Sequence, residues 1–237
     1  MIQSLPDRSA WANACADRLT DTLSSVLAAG GRAVFAGSGG STPAPIYARM
    51  CGAGMDWSRV TITLIDERHV PETSPDSNAA LIRRSLMTGT AAAARFIPLY
   101  HPAVTVDRAA AIAAHALADE GAHLDAVLLG MGEDGHICSM FPHSPTLKTL
   151  LTPDLKPTVL GVPAGRDGLA PSMERLSINL PYLAQAVRVV LAITGKQKRA
   201  VFERDATGDP TITPIAALIA ARSAAGVPLD VIWTEAA

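Results

Sequence analysis

The chain is poor in cysteine. Cys15, Cys51 and Cys138 are odd in number and far apart among 237 residues. That spacing argues against a disulfide framework and for a reducing compartment such as the cytoplasm. There is no surplus of positive charge either. Twenty Lys and Arg stand against 22 Asp and Glu, for a formal net charge of −2. A basic field able to hold nucleic acid and a polybasic membrane patch are both excluded as expectations. No uncharged apolar run reaches the ~18 residues needed to span a bilayer. The opening MIQSLPDRSAWANACADRL carries acids and lacks the continuous apolar stretch of a secretory signal. Internal repeats and low-complexity linkers are missing as well. What remains, 49% hydrophobic and 18% charged, is too apolar for disorder and long enough for one large core or two small ones. With no linker in sight, one domain over residues 1–237 is expected.

Hydrophobic periodicity orders the elements. Trp11, Cys15, Leu19, Leu23 and Val26 fall at helical spacing and predict a first helix ending near Gly30 and Gly31. Residues 33–36 read as a short buried strand. After GSGGST, Pro43 suits the first turn of a helix running to about Met50. Strands are expected over 60–65, 96–100, 126–129, 158–162, 176–180, 187–194 and 231–233. Helices are expected over 76–87, 107–120, 196–204 and 214–222, the last with Thr213 as N-cap. This alternation predicts an α/β fold: a doubly wound, mostly parallel sheet with helices on both faces. Residues 143–174, rich in Pro, Gly and Thr, are the most loop-like part, either a lid or a long excursion.

Three strand ends carry chemistry. In DAVLLGMGEDGHICSMFP (125–142), an apolar strand stops at glycines and delivers Asp134 and His136 onto a tight turn. Ligands of open α/β sheets bind at such carboxyl ends, and His suits proton transfer near neutral pH. Asp134 could orient the imidazole or bind a substrate hydroxyl; the alternative is a structural His satisfied by backbone. In GSGGSTP (37–43), glycines admit an anion to the backbone, and Ser41 and Thr42 add hydroxyls. The competing reading is a turn and cap with no ligand. The loop is no Walker motif, since no Lys follows, and Thr42 spoils a dinucleotide fingerprint. In LIDERHVP (64–71), Asp66, Glu67 and Arg68 form either a solvated turn or part of the same rim, where Arg68 could anchor a phosphate or an oxyanion. PDSN (75–78) caps the next helix and could turn Ser77 or Asn78 toward that rim. Lys198 in TGKQKRA, ahead of Lys196, and Arg175 before LSINLP are further candidate cations, although lone lysines on helices are usually solvated. His136, Cys138 and His143 lack structural-zinc spacing, and Cys138 lacks the partner pattern of a nucleophile, so a small buried residue is expected there.

In their order, GGSTP (39–43), DER with VP and DSN (66–78), GMGEDGHICSMFP (130–142), and ERLSINLP with TGKQK (174–198) resemble the 6-phosphogluconolactonase family. The resemblance covers about residues 30–204. It implies a cytoplasmic enzyme of the oxidative pentose phosphate pathway that hydrolyses 6-phospho-D-glucono-1,5-lactone, with the fold shared by sugar-phosphate isomerases. It implies no cofactor and a small sugar-phosphate lactone as the partner; the absence of ligand spacing adds no metal, and a monomer or weak homodimer is expected. Residue by residue, it implies that His136 is the general base and Asp134 its companion. Arg68 lies near the reacting centre. Gly39, Gly40, Ser41 and Thr42 form the phosphate loop, with Asp66, Arg175 and Lys198 also at the substrate. Arg199, directly after Lys198, leaves two cations competing for the phosphate. Met140 and Ile137 stand where Leu and Thr are common. The nearest rival is the glucosamine-6-phosphate deaminase branch, which typically has Asp-Glu-Tyr for DER and Phe-Asn-Glu-Pro after DGH. A catalytically silent sugar-phosphate sensor is a rival of another class, and the presence of both His136 and Asp134 speaks against it.

Overall fold

Every residue of 33–37 and of 60–64 is buried, as expected of parallel strands covered on both faces. The computed structural model describes residues 2–103, 105–121, 123–165 and 171–236. Among these are ten strands. They are β1 (Ile2–Leu5), β2 (Ala33–Gly37), β3 (Val60–Leu64), β4 (Asp66–Arg68) and β5 (Arg95–Phe96), then β6 (Ala126–Leu129), β7 (Val159–Val162), β8 (Arg175–Ile178), β9 (Arg188–Thr194) and β10 (Leu229–Thr234). The helices are α1 (Arg8–Ala28), α2 (Ala44–Met50), α3 (Asn78–Ser85), α4 (Val106–Ala118), α5 (Leu147–Leu150), α6 (Leu180–Gln185), α7 (Gly195–Asp205) and α8 (Pro214–Ala224).

Seven strands form one sheet in the order β1-β10-β9-β6-β2-β3-β5, parallel at every pairing. From β2 the chain steps outward through β3 to β5. It then returns to β6 and steps the other way through β9 to β10. Right-handed crossovers in opposite directions place their helices on opposite faces, so the sheet is doubly wound. The order reverses between the neighbours β2 and β6, and the crevice at their carboxyl ends is the switch point where such sheets bind ligands. Helix α1 lays Trp11, Cys15, Leu19 and Leu23 into the core with no exposed surface. The Trp11 indole N–H donates to the Ile232 carbonyl at 3.1 Å, which ties that helix to β10. Among the described residues no helix is long and apolar enough to cross a membrane.

A second, three-stranded sheet runs β4-β8-β7, antiparallel throughout. It corrects the expected place of the strands at 158–162 and 176–180, which leave the main sheet: β8 pairs with the short DER segment and β7 pairs with β8. Other expectations are trimmed. The strand expected over 96–100 is Arg95–Phe96 only; the Ile97 N–H still bonds to Ile62, and Pro98 then offers no donor to continue. The strand expected to reach Leu180 stops at Ile178, because Asn179 caps α6 and bonds the Tyr182 N–H. Thr213 takes the N-cap position of α8 without a side-chain cap bond. The loop-like 143–174 stretch holds α5 and β7, and residues 166–170 lie outside the described part. Strand β1 is an addition, an edge strand with two exposed central residues and no apolar run to announce it.

Candidate active site

The carboxyl ends of β2, β6 and β9 and the small sheet enclose a cavity of about 250 Å³. The resemblance gives ten residues a place in the site. Nine line this cavity: Gly39, Gly40, Ser41, Thr42, Asp66, Arg68, His136, Arg175 and Lys198. Asp134 stands behind, touching the imidazole.

The loop after β2 is shaped by its glycines. At Gly39 a Cβ would lie 1.8 Å from Asn78 Oδ1, so only glycine lets the Asn78 amide come this close. Gly40 has φ +87°, a conformation that glycine adopts freely. The Tyr47 hydroxyl of α2 donates to the Ser38 carbonyl at 2.6 Å and pins the loop to its helix. Asn78 also lines the cavity, and its Nδ2 donates to the Asp66 carbonyl at 2.9 Å.

The DER segment is not a solvated turn. Glu67 is fully buried. It accepts from the backbone N–H groups of Arg68 (2.7 Å), Asn78 (2.8 Å) and Ala79 (2.7 Å) and from the Ser77 hydroxyl (3.1 Å). Burial pushes its carboxyl up, and the three backbone donors offset only part of that. One carboxylate thus joins β4 to the start of α3 and sets the backbone of two cavity residues. Arg68 and Arg175 are directly opposite in the β4–β8 register. Like charges so placed repel, and Asp66 answers them, its carboxylate 3.9 Å from Arg175 Nη1. Arg68 donates through Nη1 to the Asp76 carbonyl. The Nε atoms of both arginines are buried, with no hydrogen-bond partner among the described residues. Burial holds the Arg175 guanidinium below its ordinary value.

The turn after β6 closes on itself. The Gly132 N–H donates to the His136 carbonyl at 2.9 Å, and the Gly135 N–H donates to the Gly132 carbonyl at 3.1 Å. Asp134 Oδ1 lies 2.5 Å from His136 Nδ1 and accepts from the His136 backbone N–H at 3.2 Å. Burial raises the Asp134 carboxyl, but the hydrogen bond and charge of the ring lower it further, and the net is below the ordinary aspartate value. Cys138 follows at φ +51°; burial, then Asp66, push its thiol well up, which leaves it protonated and inert. Ser139 joins the two sheets. Its Oγ donates to Asp66 Oδ2 at 2.7 Å and its N–H donates to Ser177 Oγ at 3.2 Å.

At α7 the three cations are placed differently. Lys196 pairs with Glu235 at 2.8 Å. Arg199 lies over the Trp233 ring at 4.6 Å and pairs with Glu203 at 2.8 Å. Of the three, Lys198 alone lines the cavity. Among the described residues, no group of three or more His, Cys, Asp and Glu side chains is placed to hold a metal ion.

Comparison with known proteins identifies the family. The family model for glucosamine-6-phosphate isomerases and 6-phosphogluconolactonase matches residues 6–227. The chain belongs to this family. A 6-phosphogluconolactonase of Mesorhizobium japonicum is 40% identical over 230 residues, covering 97% of this chain and 93% of that protein. One from Rhizobium meliloti is 41% identical over 226 residues, covering 95% and 94%. The crystal structure of a 6-phosphogluconolactonase from Shewanella baltica superposes with a TM-score of 0.89 at 31% identity, covering 99% of this chain and 97% of that one. Within this family frame, sequence reasoning missed Glu67, Ser139 and Ser177 as organisers of the site. The only signal was that Glu67 and Ser139 sit inside motifs already noted for their neighbours. Ser177 had none.

Proposed function

We propose that this protein hydrolyses 6-phospho-D-glucono-1,5-lactone to 6-phospho-D-gluconate, the lactone-opening step of the oxidative pentose phosphate pathway, using water activated by His136 and no metal. The observation that carries this reading is the Asp134–His136 pair, 2.5 Å apart, beside a cavity that also holds Arg68, Arg175 and Lys198. Asp134 accepts from Nδ1–H, which leaves Nε2 with a lone pair for the water proton. The water oxygen attacks C1 as its proton passes to Nε2. Arg68 faces the oxyanion that forms on the carbonyl oxygen. Collapse breaks the bond between C1 and the ring oxygen, which takes the proton back from the imidazolium. The Ser41–Thr42 loop, Lys198 and Arg175 hold the phosphate, whose remote binding energy keeps C1 in register.

We further assign the chain to the cytoplasm as one catalytic domain, a monomer or weak homodimer with no nucleic-acid or membrane partner. Its three free cysteines support the compartment, and its net charge of −2 supports the lack of a nucleic-acid or membrane partner. The deciding assay is hydrolysis of freshly made 6-phosphogluconolactone with the spontaneous rate subtracted, beside a measurement of ammonia from glucosamine 6-phosphate. Lactone opening without ammonia supports the reading. Ammonia without lactone opening would replace it with the deaminase.

A further inference from the structure

Phe141 touches both the imidazole and one guanidinium of the cavity. Its ring centroid is 4.5 Å from that of His136, with 35° between the planes. The Arg175 guanidinium carbon lies over the same ring, 5.8 Å from its centroid. Other contacts leave part of each neighbour unrestrained. Within the imidazole, Asp134 engages Nδ1 alone, and its own side chain is 54% exposed, so it fixes one ring atom and not the ring plane. Arg175 reaches Asp66 only at 3.9 Å, and its Nε has no partner among the described residues. Phe141 itself sits on anchored backbone, two residues after Ser139, which is bonded to both Asp66 and Ser177. An aromatic face attracts a guanidinium, and it attracts an imidazole once that ring has gained a proton. It also uses up no donor or acceptor of either group, so both stay available to a ligand.

We propose that Phe141 is a positioning residue that fixes the plane of the His136 ring and keeps the Arg175 guanidinium at a set distance from it, so that the base and the cation act as one unit. This rests on the reading of His136 as the base. Leucine in its place keeps an apolar side chain but loses the flat face and the quadrupole. Tyrosine keeps both.

The test combines a spectroscopic and a kinetic readout. In the wild-type protein, the His136 ring C–H resonances should carry an upfield ring-current shift. Phe141→Leu should abolish that shift and lower kcat about tenfold, on the scale expected when a reacting group is misplaced by part of an ångström. Phe141→Tyr should keep both the shift and, within about twofold, the rate. If Phe141→Leu does not fold, Phe141→Met is judged by the same outcomes. A ring that served only packing would lower the melting temperature and leave kcat per folded molecule unchanged. That result, or unshifted His136 resonances in the wild type, overturns the proposal. A wild-type protein with no lactonase activity overturns the functional reading instead, and the ring-current shift then separately decides the contact.

Discussion

A Cβ on Gly132 would stand 2.2 Å from His136 Nδ1 and 2.4 Å from Asp134 Oδ1. No real Cβ tolerates such distances, so the carboxylate–imidazole pair exists because position 132 has no side chain. Its φ is not positive, so alanine is sterically free to adopt the backbone there, and the whole cost falls on the pair. Gly132→Ala should therefore fold and lose about 100-fold in kcat, the scale of an ångström's misplacement. A folded variant with near-native kcat would show that the pair can shift without consequence.

His136→Ala should fold and lose roughly 100-fold or more in kcat, as expected on removing a general base. Steady-state kinetics on the folded variant, with the spontaneous rate subtracted, check this. Near-normal kcat would remove His136 from the mechanism.

Lys198→Ala should raise KM for the phosphorylated lactone far more than for unphosphorylated gluconolactone. A contact held equally in ground and transition states appears mainly in KM. Lys196 and Arg199 are occupied by Glu235 and Trp233 and do not line the cavity. Equal losses on both substrates would move the phosphate assignment to Arg68 or Arg175.

The Asp134–His136 contact should stabilise the fold in a pH-dependent way. The Asp134 carboxyl is lowered in the folded protein, so the unfolded chain binds its proton more readily. The stabilisation is present above the ordinary aspartate value of about 3.9 and is lost as pH falls through the lower folded one. Because Asp134 is half-exposed, solvent screening limits it to about 1 kcal/mol at most. Urea denaturation should show a gap between the wild type and Asp134→Asn that is present at neutral pH and closes in acid. A gap of constant size would point to a cause other than this carboxylate's charge.

Activity should survive exhaustive chelation, since base-activated water is enough to open a lactone and the described side chains form no ligand cluster. Loss of activity with EDTA and rescue by zinc would contradict the proposed mechanism.

Much of the site was legible because it sits where buried strands run out into glycine. The apolar run 126–129 and the glycines at 130, 132 and 135 mark the turn that presents His136, and Asp134 is only two residues away. Lys198 was legible as a candidate, but its preference over Arg199 depends on Trp233 and Glu203, and Trp233 arrives from the last strand of the fold. The small sheet was not legible. Its DER strand has three residues and pairs with residues more than 100 positions later, where no local pattern reports the register. Glu67 misled for a related reason. A glutamate between two charged residues looks solvated until the N–H groups of Arg68, Asn78 and Ala79 are seen to turn on it.

Two sheets contribute to one cavity, and they contribute different things. The proton-handling pair, the glycine loop and Lys198 grow from the strands of the large sheet, whereas Arg68, Arg175 and Asp66 grow from the small one. They meet at Ser139 and at Ile65, which alone separates β3 from β4; the Ile65 N–H donates to the Gly37 carbonyl at 3.0 Å and its carbonyl accepts from the Ile178 N–H at 3.0 Å. The site therefore divides by task and not by sheet. The groups assigned to the phosphate come from both sheets, Ser41, Thr42 and Lys198 from the large one and Arg175 from the small one, while Arg68 stands with the proton-handling pair. A library restricted to positions 41, 42, 175 and 198 is the economical route to lactonases for other acidic lactones.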